Sequence, residues 1–180
     1  FGSRVRRPAS KMAPPASHGD EEPPPEPPPG YRRYYRPDPY QEHVGPFFYD
    51  PERRLSAVRV APKMCNDLGI LHGGALMTFC DFALFVIARE HTHEVTGRGF
   101  VTLSLSLDFV GRCRVGALVE AGGEVVRVSS DKDLIFVQGW AAEGGRRLAA
   151  FQGTLRSVGP RGAPSGTAAA AVQAPAQAKL

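Results

Sequence analysis

The segment Asn66–Asp81, NDLGILHGGALMTFCD, places an amide, an imidazole, two adjacent glycines and a carboxylate in one short stretch. The carboxylate stands inside a run, Ala75 to Ala88, that is otherwise almost wholly apolar. Burying a lone Asp either costs several kcal/mol or raises its pKa until it is neutral. A chemistry that fits this is a general base or nucleophile in a dry pocket. The plainer reading has Asp81 paired with a buried Arg, capping, or facing a solvent crevice. The glycines add a second chemical element. A helix that begins at Gly73 and Gly74 presents unpaired N–H groups and partial positive charge to whatever approaches its bare backbone. Such a terminus holds an oxyanion or polarises a carbonyl. The plainer reading of the glycines is a tight loop-to-helix turn.

The elements that position these groups follow from the surrounding pattern. Ala75 to about Glu90 is too long for a buried strand and does not alternate, which predicts a helix. It is apolar on nearly all sides and so belongs at the centre. Leu55–Ala61 alternates like a strand and ends at Pro62. Four strand-like runs follow the helix, Phe100–Val110, Ala117–Val128, Leu134–Ala142 and Leu148–Ser157, separated by glycine-marked turns. Consecutive strands with short connections pair antiparallel. The expected fold is α+β, an antiparallel sheet of about five strands wrapped around one long central helix. Along that helix the nine steps from His72 to Asp81 span roughly 13 Å. The donor at Gly73 and the carboxylate of one chain therefore cannot serve the same carbonyl. If both act, they come from different subunits.

The rest of the 180-residue chain sets bounds. Residues 1–30 and 159–180 are rich in Pro or Ala without apolar periodicity, so they read as a disordered leader and tail around one domain at 31–158. The leader has Arg4, Arg6, Arg7 and Lys11 with no acid before Asp20, which also faintly resembles an organelle transit peptide. The aromatic and basic stretch YRRYYRPDPYQEHVGPFFYD reads as an amphipathic lead-in helix or arm laying Tyr34, Tyr35, Val44, Phe47 and Phe48 on the core. A nucleic-acid surface is the rival there, with no second basic-aromatic segment to back it. A formal charge of +4 is too small to imply nucleic acid and suits an anionic small ligand. Cys65, Cys80 and Cys113 form no CxxC and read as free thiols in a reducing compartment, the cytoplasm or an organelle matrix. No apolar run reaches membrane-span length. His91–Glu94, HTHE, offers too few ligands for a metal site and reads as the polar end of the helix.

Taken together, the Asn, the HGG, the acid nine residues after the His and the four following strands resemble the hotdog-fold acyl-CoA thioesterases of the PaaI and thioesterase-superfamily-member-2 type. The resemblance covers about Val44 to Val158. It implies that Asp81 activates water or attacks the thioester, that Gly73 N–H holds the thioester oxygen, and that Asn66 and His72 position the reacting groups. It aligns Thr102 as the hydroxyl that assists the acid. It implies an acyl-CoA substrate, no cofactor or metal, and a homodimer or homotetramer whose subunits share each site. The coenzyme A tail would follow Phe109, Val110, Gly111, Arg112, Cys113 and Arg114, together with Arg127, Ser129, Ser130 and Lys132. The arginines and the lysine would meet phosphates; otherwise they are solvated turn charges.

The chain departs from some relatives. Pro62 and Val158 stand where those carry a Lys and a His, and Arg112 replaces a common turn proline. A hotdog dehydratase is disfavoured by the absence of a His-Phe-Pro turn. A non-catalytic acyl-CoA binding domain has no use for the acid.

Overall fold

The computed structural model describes residues 26–34, 38–91, 99–131 and 133–159. The leader before residue 26, the tail from 160 onward, Tyr35, Lys132 and the side chains of the HTHE segment lie outside the described part. In chain order the elements are β1 (Arg32–Arg33), α1 (Pro39–Val44), β2 (Phe47–Asp50), β3 (Leu55–Arg59), a 3-10 turn at Pro62–Met64, α2 (Gly73–His91), β4 (Gly99–Phe109), β5 (Leu118–Val128), β6 (Leu134–Glu143) and β7 (Arg146–Val158).

The strands form one antiparallel sheet of seven in the order β1-β2-β3-β5-β6-β7-β4, and α2 lies against it. The five expected strands are all present. The two additional ones, β1 and β2, come from the aromatic arm. That arm is split by chemistry: Asp38 caps α1 by accepting from Gln41 N–H at 2.8 Å, Pro39 fits the first helical turn, and Gly45 ends it. Beyond it Phe47, Phe48, Tyr49 and Asp50 run as a strand with every residue buried. Strand alternation sends Phe47 and Tyr49 to the main core with α2, and Phe48 to the other face with Tyr31 and Ala57. Tyr34 and Val44 pack on the main core as expected.

The core is α2 against the sheet. Leu76, Phe79, Cys80, Phe82, Ala83, Leu84, Val86, Ile87 and Ala88 are buried. Leu84 nests on β7 because position 153 is glycine, where a Cβ would fall 2.6 Å from the leucine. Part of α2 escapes burial, including Gly74, Ala75, Thr78 and Glu90. Gly73, Met77, Asp81, Phe85 and Arg89, spaced four apart, remain partly or largely accessible. Successive residues four apart are neighbours on a helix surface, so this row is a continuous open seam that winds along the helix. Asp81 is therefore half-buried on a part of α2 that the described sheet leaves uncovered.

Candidate active site

Asp81 is held from the sheet. Thr102 on β4 donates its hydroxyl to the Asp81 carboxylate at 2.8 Å. A β-bulge makes this aim consistent with the packing below it. Thr102 and Ser104 pair with the adjacent residues Leu155 and Thr154, so Leu103 is an extra residue in the ladder. Phe100 and Thr102 before the bulge, and Leu105 and Leu107 after it, all turn towards the α2 side. Without the bulge, strict alternation would point Thr102 away from the acid whenever Leu105 faced inward.

The start of α2 is built from backbone. Asn66 Oδ1 accepts from Leu68 N–H at 3.0 Å and from Ile70 N–H at 3.3 Å, folding residues 66–70 into a tight loop. His72 N–H donates to Met64 O, and Leu71 N–H to Cys113 O. Because its carbonyl oxygen is engaged, Asn66 offers its NH2 as the available side-chain donor. His72 Nδ1 accepts from Gly74 N–H at 2.9 Å, which fixes the neutral ring as the tautomer with its proton on Nε2. Gly73, at the first position of α2, has no intrahelical acceptor for its N–H.

Neither glycine has a positive φ, so the loop-to-helix turn does not require them. Close approach does. A Cβ on Gly73 would lie 3.2 Å from the Phe109 ring, and one on Gly74 3.0 Å from the His72 ring. The two chemical centres of the chain stay apart: Gly73 and Asp81 are eight helical steps, about 12 Å, from each other.

The Thioesterase superfamily sequence pattern matches residues 68–148. A Pseudomonas aeruginosa protein named "Putative esterase PA0474" is 33% identical over 132 residues, which is 70% of this chain and 93% of that protein. The chain belongs to the thioesterase superfamily. Two solved structures show the same hotdog fold at lower identity. The Escherichia coli PaaI protein from the phenylacetic acid degradation operon is 18% identical, with a TM-score of 0.52 over 63% of this chain and 73% of its own. A hypothetical thioesterase from Streptococcus pneumoniae, solved with coenzyme A, is 20% identical, with a TM-score of 0.52 over 73% of this chain and 88% of its own.

Within this thioesterase-superfamily chain, the two segments expected along coenzyme A lie at opposite ends of the sheet. Phe109, Val110, Gly111, Arg112, Cys113 and Arg114 sit by the start of α2, tied there by the Ile70–Arg114 bridge, by Phe109 on Gly73, and by Gly111 N–H to Leu148 O. Arg127, Ser129 and Ser130 lie at the far end of β5. The ladder β5-β6-β7-β4 connects that end to Val101 and Thr102 through Ile135, Leu134 and Arg156. Asp81 thus shares an end with 127–130, and the Gly73 N–H shares an end with 109–114.

Sequence reasoning missed some neighbours of these groups. Arg146 donates to Arg112 O at 2.8 Å while ion-paired with Glu143, which brings a carboxylate as well as a cation to the 109–114 loop, and Arg147 lies over the Trp140 ring. The place of both arginines just after the Gly144–Gly145 turn was the available signal. Ser129 does not face outward as a free hydroxyl: it donates to Asp131 and accepts from Leu134 N–H, closing its own turn. Cys80 and Cys113 are poor nucleophiles. Burial, with a contribution from the Asp81 charge, pushes the Cys80 thiol up to about 12, and burial pushes Cys113 up to about 11. Among the described residues no group of three or more His, Cys, Asp or Glu could hold a metal.

Proposed function

We propose that this protein hydrolyses acyl-CoA thioesters at sites shared by two copies of the chain. The observation that carries the proposal is the open seam of α2, with Asp81 bonded to Thr102 at its middle and the Gly73 N–H at its start, running beside a sheet edge that lacks a partner strand. Among the described residues β4 closes the sheet order with only β7 beside it, and its outward Val101 and Leu103 are 44% and 53% exposed. An eleven-residue strand edge that carries Val101 and Leu103 outward is a template for another strand, with Ser104, Ser106 and Asp108 further along the same exposed side. A second copy related by a two-fold axis pairs β4 with β4 antiparallel. The acid end of one chain then meets the oxyanion end of the other, and residues 127–130 of one meet 109–114 of the other.

In that arrangement Asp81 takes a proton from water, and the hydroxide attacks the thioester carbonyl. The oxyanion is received by Gly73 N–H of the other copy, with Asn66 NH2 and His72 Nε2–H as neighbouring donors. Collapse breaks the C–S bond, and the thiolate of coenzyme A takes the proton back from Asp81. In the alternative course an Asp81 oxygen attacks directly, the thiolate leaves, and water hydrolyses the mixed anhydride. Arg112, Arg114 and Arg127 are the proposed phosphate contacts. Three free cysteines suit a reducing compartment such as the cytoplasm or an organelle matrix.

The test is release of free coenzyme A thiol across a panel of short, long and aryl acyl-CoAs. Turnover of at least one, abolished in Asp81→Asn, is expected. Binding without release by the wild type would replace hydrolysis with an acyl-CoA binding role.

A further inference from the structure

Two cavities lie end to end along α2. The first, of about 400 Å3, contains Asp81 and is walled by Phe82, Phe85 and Phe100. The second, of about 420 Å3, sits under α1 and is walled by Val44, Val58, Met64, Leu71 and Phe79. Tyr40, Phe47 and Thr78 line both. Phe47 belongs to the buried wall, so the divide is made by Tyr40 reaching from α1 to Thr78, with the two hydroxyls 3.5 Å apart. The far rim of the second cavity is closed by Lys63, whose ammonium donates to His43 O at 2.6 Å.

We propose that the acyl chain runs from the Asp81 cavity towards the cavity beneath α1, and that Tyr40 sets how long a chain the protein accepts. The inference rests on the acyl-CoA reading of the Asp81 site and deepens it. The chemistry favours an unbranched alkyl chain. The second cavity is walled mainly by aromatic and aliphatic side chains, the first by six aromatic rings beside Asp38, Gln41, Thr78, Asp81 and Arg89, and both follow α2. From Asp81 to Gly74 is seven helical steps, about 10 Å, which suits an extended chain. Tyr40 is suited to act as the divide rather than as part of the core. It is 60% exposed, it belongs to a six-residue helix, and its contact with α2 is through the Thr78 hydroxyl. Removing its ring joins the cavities without emptying the core.

The experiment measures binding of non-hydrolysable S-alkyl coenzyme A thioethers, from butyl to hexadecyl, by calorimetry on the full chain, beside thiol release from the matching acyl-CoAs. Affinity of the wild type is expected to climb with chain length and then stop climbing. In Tyr40→Ala the climb continues to longer chains, raising the long-to-short affinity ratio by about tenfold or more. Tyr40→Phe keeps the wild-type profile, and adding Val44→Trp to Tyr40→Ala removes the extension by filling the second cavity. A Tyr40→Ala profile identical to the wild type, or a wild type indifferent to chain length, overturns the inference. The expected binding profiles without thiol release would leave the divide standing and overturn the hydrolytic reading instead.

Discussion

The start of α2 and its middle turn belong to one helix but are constructed in opposite ways. At the start, position is imposed by main chain: the Asn66 loop, the bond from His72 N–H to Met64, and two glycines pressed against rings. The groups offered there are neutral donors. In the middle, a charged group is aimed by one side-chain bond from Thr102 across a bulge, on a seam with no second layer over it. The first is complete within one chain. The second has an acid, a hydroxyl and an open side. In the proposed reading, one helix carries two half-sites that a second copy pairing at the β4 edge would bring together.

The largest effect should come from the charged half. Asp81→Asn is nearly isosteric, so circular dichroism and the thermal midpoint should be preserved. Thiol release should fall by at least about a hundredfold. Wild-type rates in Asp81→Asn on every substrate tested would break the contrast between the halves.

Mixing sharpens it. Asn66→Asp keeps the carbonyl-type acceptor that folds the 66–70 loop while removing the NH2 donors, so it disables the neutral half without unfolding it. Mixed with Asp81→Asn, random exchange makes about half of the dimers mixed, and roughly a quarter of all sites should regain both groups. Mass spectrometry confirms exchange. Confirmed exchange with no recovered activity would mean that the halves do not meet between chains.

Gly73→Ala should cost less than loss of the acid, on the order of tenfold, the scale of removing a single donor contact. The cause would be displacement of the Phe109 ring, and Phe109→Leu in the same chain should restore part of the rate. Thr102→Val should be milder still, a few-fold, because Asp81 keeps its charge and loses one donor. The smallest effect expected is at Cys80. A thiol reagent at pH 8 should modify the partly exposed Cys65 well before Cys80 or Cys113, with mapping by peptide mass.

Much of this was legible because it is local. A run without alternation predicts Ala75–Glu90 as helix, and the helix spans Gly73–His91. The four strands after it lie within a few residues of their expected bounds because glycines punctuate them. β1 and β2 were not legible: two residues carry no period, and FFYD is buried on both faces, so nothing alternates. The spacing of His72 and Asp81 reads off the chain, as does their separation in space. Phe109 on Gly73 does not, since that contact joins distant positions through the β4–β7 ladder. The opposite placement of 109–114 and 127–130 needed the sheet order, which composition and period do not encode. The Leu103 bulge hides in the same way, because strict alternation assigns Thr102 and Leu105 to different faces.

Pairing of two copies along the β4 margin, as proposed above, would tie the chain's durability to its abundance. When a strand margin eleven residues long is satisfied only by association, the free energy of assembly enters the free energy of folding by mass action. Under that pairing, dilution should loosen the tertiary structure along with separating the copies, and the thermal midpoint should climb as the protein is concentrated. A cell could set the amount of working protein through expression level alone, since scarce chains would be both the least assembled and the first to be degraded.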